Sequence, residues 1–133
     1  MLDTGVASDY ISDRRDVPKR CRALVRAGHR IGLCSPVYGE LVGGIEMSQS
    51  RDGNLKKLLR VRSHFVMWPF DEDAALEYAR IWAHLSRIGR PMQQIDMQIA
   101  AIAVTRGRTT VITYDSDLSD VPGLTVENWL KSP

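Results

Sequence analysis

Carboxylates at four separated places are the residues of this chain with the most chemistry to offer. Asp3 follows Leu2, Glu40 lies in the segment Ser35-Pro36-Val37-Tyr38-Gly39-Glu40, Asp96 precedes Met97-Gln98-Ile99-Ala100, and Asp115 closes the run Thr109–Tyr114. Carboxylates gathered at one rim repel one another and raise each other's pKa unless a cation sits among them. Four of them, with no histidine or cysteine in the set, suit a hard divalent cation such as Mg²⁺ or Mn²⁺. Such an ion keeps several waters, binds phosphate oxygens and polarises a water for in-line attack on a phosphodiester. Asp117 is a second candidate acid on the loop of Asp115. Taken singly the residues have blander roles: Asp3 and Asp96 as helix caps, Asp115 as a turn residue, Glu40 on a solvated helix face. Only their joint placement makes a site.

That placement depends on the elements that carry them. Short apolar runs read as strands at Leu2, Arg30–Cys34, Phe65–Phe70 and Thr109–Tyr114, with a weaker one at Leu124–Val126 after the Pro122-Gly123 turn signal. Helical patterns lie between them. Val6–Ile11 and Lys19–Ala27 are separated by Pro18, and Gly28 closes the second. Ser35-Pro36 is a helix start, and Leu55, Leu58 and Leu59 mark a further amphipathic stretch. Asp71-Glu72-Asp73 opens a helix that presents Ala75, Tyr78, Trp82 and Leu85 on one face and stops at Gly89-Arg90-Pro91. The last helix starts near Asp96 and carries Ile95, Ile99 and Ile102. Strands alternating with helices predict a three-layer α/β fold, a parallel sheet of about five strands flanked by helices. In such a sheet, strand C-termini and the starts of the following helices share an edge, so all four acids are aimed at it. Only Met1 and Leu2 precede Asp3, so either the true start lies upstream or this edge of the sheet is poorly anchored.

Length and composition are those of one domain, residues 1–133. A hydrophobic content of 44% argues against disorder, and a net charge of +2 permits a polyanionic partner without requiring one. Cys21 and Cys34 form no CxxC pair, and the expected location is cytoplasmic and reducing, with no membrane span. His29, His64 and His84 share no metal-ligand spacing, which speaks against zinc. Trp68, Trp82 and Trp129 read as core or interface anchors rather than base-stacking platforms. Arg14, Arg15, Lys19, Arg20, Arg22 and Arg26 read as a solvated helix face, and Met67, Met92 and Met97 as gap fillers.

Several stretches in order carry a family resemblance: Leu2-Asp3-Thr4, Ser35–Leu41 with Gly44, Gly89-Arg90-Pro91 before Asp96 and Ile99-Ala100-Ala101, then Val111–Asp115 and Val121–Trp129. Together they resemble a PIN domain, and more narrowly the VapC-type toxins of bacterial toxin–antitoxin pairs. The resemblance implies a ribonuclease in which Asp3, Glu40, Asp96 and Asp115 hold Mg²⁺ or Mn²⁺ and Thr113 orients the last carboxylate or a metal-bound water. It further implies structured RNA such as tRNA as substrate, a cognate antitoxin as inhibitor, and a homodimer. One departure is Gly5, where the family usually carries Asn. It motivates the alternative of a PIN-like domain that binds RNA or a partner without cutting. A receiver-type phospho-acceptor domain is disfavoured, because the middle strand ends Trp68-Pro69-Phe70 and the strand ending at Tyr114 has no Lys.

Overall fold

The computed structural model describes residues 1–130. Two pairs of parallel strands form the sheet. β1 (Gly32–Cys34) pairs with β2 (Val66–Trp68), and β3 (Thr110–Thr113) pairs with β4 (Thr125–Asn128). The Met1–Asp3 segment joins the pairs. Leu2 N donates to Gly32 O at 2.9 Å on one side, while Ile112 N donates to Met1 O at 2.8 Å and Asp3 N to Ile112 O at 3.0 Å on the other. The spatial order is therefore β2, β1, Met1–Asp3, β3, β4, all parallel. The expectation of a poorly anchored edge is corrected, because the short first segment is the middle of the sheet and Leu2 is fully buried. A parallel central position is apolar on both faces, and two residues suffice when both flanking strands supply partners.

Among the described residues six α-helices surround this sheet: α1 (Thr4–Ile11), α2 (Val17–Arg26), α3 (Ser35–Glu46), α4 (Arg51–Val61), α5 (Glu72–Arg87) and α6 (Gln94–Arg106). Side-chain caps start two of them. Asp3 caps α1 by accepting from Val6 N, and Asp71 caps α5 by accepting from Ala74 N at 2.9 Å. Pro18 and Pro36 sit within the first turns of α2 and α3, where a missing N–H costs nothing. Pro18 is thus inside α2 rather than between two helices. Gly28, at φ 96°, follows the end of α2 in a conformation that favours glycine.

The core is one continuous cluster from Leu2, Leu33 and Val37 through Ile81 and Leu85 to Ile99, Ile102 and Val111. Helix α6 is buried along Met97 and Ile99–Ala103, with alanines allowing close approach to α5 and β3. Gly32 is required for a different reason. A Cβ there would lie 2.4 Å from Trp68 Cζ3, so the indole of the neighbouring strand rests directly on the glycine backbone. No helix among the described residues is long and apolar enough to cross a membrane.

Candidate active site

The C-terminal edge of the sheet receives Asp3 from the central segment and Thr113 with Asp115 from the end of β3, while Glu40 and Asp96 arrive on α3 and α6. Local chemistry fixes several of them. Asp3 Oδ1 accepts from Val6 N at 3.2 Å, which ties its carboxylate to the start of α1. Thr113 is fully buried, and its Oγ1 accepts from Asp115 N at 2.9 Å. Asp115 Oδ1 in turn accepts from Asp117 N at 2.9 Å, closing a compact loop. Thr4 Oγ1 donates to Glu40 Oε1 at 2.5 Å, linking α1 to α3. Asp96 is not a cap, since Gln93 holds that position, but it lies in the first turn of α6, where the helix dipole favours a negative charge.

Asp3, Glu40, Asp96, Thr113 and Asp115 line one pocket of about 240 Å³, with Gly5 also on its wall. Larger spaces adjoin it on two sides. A pocket of about 400 Å³ shares Asp96 and Asp115 and adds Arg90, Asp117 and Asp120. A cleft of about 490 Å³ shares Thr4 and Glu40 and adds Ser8, Arg14, Asn54 and Lys57. Asp117 thus belongs to the neighbouring pocket, not to the central one.

Electrostatics bind the acids together. Burial pushes the Asp3 carboxyl above the ordinary carboxylate value. Thr113 and Val6 N partly offset this, whereas Asp115 and Glu40 push it further up. Asp96 is raised chiefly by burial, then by Asp115, Asp3, Glu40 and Asp117. Asp3 and Asp96 therefore both feel the other acids, and negative charge is held here against its preference.

The donor set is carboxylate and hydroxyl oxygen, which fits a hard divalent cation. Among the described residues, however, no three His, Cys, Asp or Glu side chains are drawn up as a ready-made metal cage. Glu40 is turned to Thr4, and Asp3 to Val6 N. The two observations agree for a Mg²⁺-like ion, which is held by one or two carboxylates with waters and substrate phosphates rather than by an all-protein cage. A closed tetrahedral site would have demanded more convergence.

One tryptophan departs from expectation. Trp129 is buried and Trp68 half-buried, but Trp82 is 58% exposed, so its place on the core face of α5 is corrected. The helix turns Ala74, Ile81 and Leu85 inward, and at about 100° per residue Trp82 falls outside that stripe. Sequence reasoning also passed over Asp9, which is 8% exposed and accepts from Tyr114 Oη at 2.6 Å. Nothing local in the sequence signals it, because its partner lies 105 residues further along the chain. Burial and the Asp9 carboxylate hold the Tyr114 phenol up at about 12. Thr4, quoted only as part of the Leu2-Asp3-Thr4 stretch, is the partner of Glu40.

This α/β frame carries an acidic pocket at the C-terminal edge of a parallel sheet, a lining whose oxygen donors suit a hard divalent cation. The chain belongs to the PIN domain family, whose profile matches residues 1–124. It is 30% identical over 130 residues to the tRNA(fMet)-specific endonuclease VapC of Salmonella typhimurium, covering 97% of this chain and 96% of that protein. The protein of the same description from Shigella flexneri is 31% identical over 129 residues, with 97% and 96% covered. Among solved structures, VapBC2 of Rickettsia felis bound to a promoter DNA fragment superposes with a TM-score of 0.89 at 25% identity, covering 97% of each chain.

Proposed function

We propose that this chain, as one PIN-like domain spanning residues 1–133, is a divalent-metal-dependent endoribonuclease and the toxin of a toxin–antitoxin pair. The observation that carries this reading is the sharing of one pocket by Asp3, Glu40, Asp96 and Asp115 in a chain similar over nearly its whole length to VapC endonucleases. Asp3, Glu40, Asp96 and Asp115 would hold Mg²⁺ or Mn²⁺ directly or through its waters, and the ion would supply Lewis-acid polarisation of a phosphoryl oxygen and activation of a water. Thr113 orients Asp115 through the bond to its amide. The α6 dipole favours negative charge at Asp96, while burial of Asp3 and the mutual repulsion of the acids oppose it, so a polyanionic substrate is expected to enter with a cation between the two.

Structured RNA such as tRNA is the proposed substrate. The adjoining cleft carries Arg14 and Lys57, neither of which makes an ion pair among the described residues, alongside the hydrogen-bonding groups of Ser8 and Asn54. Cations and polar donors next to an acidic centre suit a phosphate backbone running past the scissile bond. The antitoxin partner follows from the VapBC assemblies in which similar chains were solved. A homodimer and a cytoplasmic setting complete the proposal.

The test uses the purified chain, free of any co-expressed partner, incubated with total tRNA in Mg²⁺, Mn²⁺ or chelator. Metal-dependent cleavage that disappears in Asp96→Ala is expected. Cleavage that survives both chelator and Asp96→Ala would overturn the metal mechanism. Tight RNA binding without cleavage would instead establish the non-cutting alternative that Gly5 motivates.

A further inference from the structure

Between α1 and the end of β3 lies a cluster of side chains that the reaction chemistry does not use. Asp9 is a nearly buried carboxylate on α1. Tyr114 Oη donates to its Oδ2 at 2.6 Å, and Arg15 Nη1 stands 3.5 Å from the same oxygen. The Arg15 guanidinium also lies 4.9 Å from the centroid of the Tyr114 ring. The ring itself passes along one turn of α1. A Cβ at Gly5 would stand 3.4 Å from Tyr114 Cδ2, and the hydroxyl reaches Asp9, four residues and about one helical pitch further on. A Cβ at position 5 would thus stand in van der Waals contact with the ring.

The turn that brings Arg15 to this cluster is unusual. Asp13, Arg15 and Asp16 have φ of 53°, 54° and 57°, a left-handed conformation uncommon for non-glycine residues and better tolerated by Asp than by Arg. Arg14 N donates to Asp9 O at 2.8 Å, so the same helix residue grips the turn through its backbone. From the other side, Asn128 Nδ2 donates to Tyr114 O at 3.2 Å, and Trp129 N donates to Thr113 O at 3.0 Å. Tyr114 is thus held at its hydroxyl, its ring and its carbonyl.

We infer that Tyr114, anchored by Asp9 and Arg15, is a positioning residue that sets the distance between the two halves of the acidic pocket. The halves hang on the elements it joins. Asp3 is the N-cap of α1, the helix along which the Tyr114 ring runs, while Asp115 directly follows Tyr114 in the chain. A clasp between α1 and β3 therefore fixes where one carboxylate stands relative to the other. Gly5 in this reading is the point on α1 against which the Tyr114 ring lies. The inference rests on the proposed metal chemistry for its functional meaning, but the clasp can be tested apart from it.

Tyr114→Phe removes the hydroxyl and keeps the ring, and Asp9→Ala removes its acceptor. Asp9→Asn keeps an acceptor oxygen and serves as the conservative rescue. Mn²⁺ binding to the purified full chain should weaken about tenfold in Tyr114→Phe and in Asp9→Ala, the lower end of what outer-shell partners of a metal site contribute. The double variant should bind no worse than either single one, because both remove the same hydrogen bond. Asp9→Asn should lie close to the parent chain. In chelator, amide hydrogen exchange at Asp115 and Asp117 should speed up in Tyr114→Phe while the core amides of α6 stay protected. Unchanged Mn²⁺ affinity together with unchanged exchange at Asp115 would overturn the inference, even if the melting temperature falls. A parent chain that binds no Mn²⁺ would defeat the metal reading alone, and the exchange result would then decide the clasp by itself. If Tyr114→Phe does not fold, Arg15→Ala, at the solvent side of the cluster, carries the same two measurements.

Discussion

Removing one charge from the acidic pocket without changing its shape gives a prediction that runs in opposite directions with and without metal. Asp96→Asn is the substitution. Asp96 is half-buried and its carboxyl is raised by burial and by four neighbouring acids, so its charge destabilises the metal-free fold. Discounted for solvent screening, relieving that repulsion is worth on the order of 1 kcal/mol. Unfolding entropy of about 2.1 cal/mol/K per residue gives about 0.28 kcal/mol/K for a chain of this length, so the variant should melt about 3–4 °C higher in chelator. Metal reverses the order. At free Mg²⁺ about 100 times Kd the parent chain gains about 2.7 kcal/mol, or about 10 °C. If removal of one ligand weakens binding about tenfold, the variant gains about 1.4 kcal/mol, or about 5 °C. The two melting temperatures, followed by circular dichroism or calorimetry in EDTA and in Mg²⁺, should therefore cross. A variant that melts no higher than the parent in EDTA, or that keeps the full Mg²⁺ shift, would refute the reasoning that these carboxylates form one charged cluster for a cation.

Titration should show the same repulsion. A carboxyl raised on folding adds stability that is fully present below its ordinary pKa and is lost as pH rises through the folded value, so in EDTA the advantage of Asp96→Asn over the parent should be absent at the acid end and grow as pH rises above the ordinary carboxylate range. Arg14→Ala combined with Lys57→Ala should raise KM for RNA with kcat little changed. The pair should also flatten the salt dependence of binding by about 0.7 for each phosphate no longer neutralised, as read by fluorescence anisotropy over a salt series. Gly32→Ala drives a methyl into the Trp68 indole, 2.4 Å from Cζ3, and should cost about 1–3 kcal/mol in urea denaturation, without altering Mg²⁺ binding.

What the sequence made legible was the order of elements and the residues that end them. Hydrophobic runs flanked by proline and glycine located β1 to β4 to within a few residues, because those signals are local. The acids of the pocket were legible for the same reason, since a carboxylate after an apolar strand or at a helix start announces itself. What stayed hidden was set by tertiary contact. Leu2 reads as an edge residue until two other strands are seen to hydrogen-bond on either side of it. Trp82 carries an apolar side chain at helical spacing, yet the neighbours of α5 cover a different stripe. Asp9 looks like any exposed helix acid, and only the approach of Tyr114 from the far end of the chain buries it. Gly5, which read as a departure from a family pattern, lies against that same ring.

The join at the middle of the sheet has a consequence for the order in which the molecule comes into being. Met1 N donates to Thr110 O, a partner 109 residues further along the chain, and Asp3 N waits equally long for Ile112 O. Asp3 cannot face Asp115 until the ribosome has released the β3 segment. A nascent enzyme of this design carries Asp3 and Glu40 early and stays without Asp96 and Asp115 until its synthesis is well advanced. The acidic pocket is therefore assembled only after the β3 segment has been made.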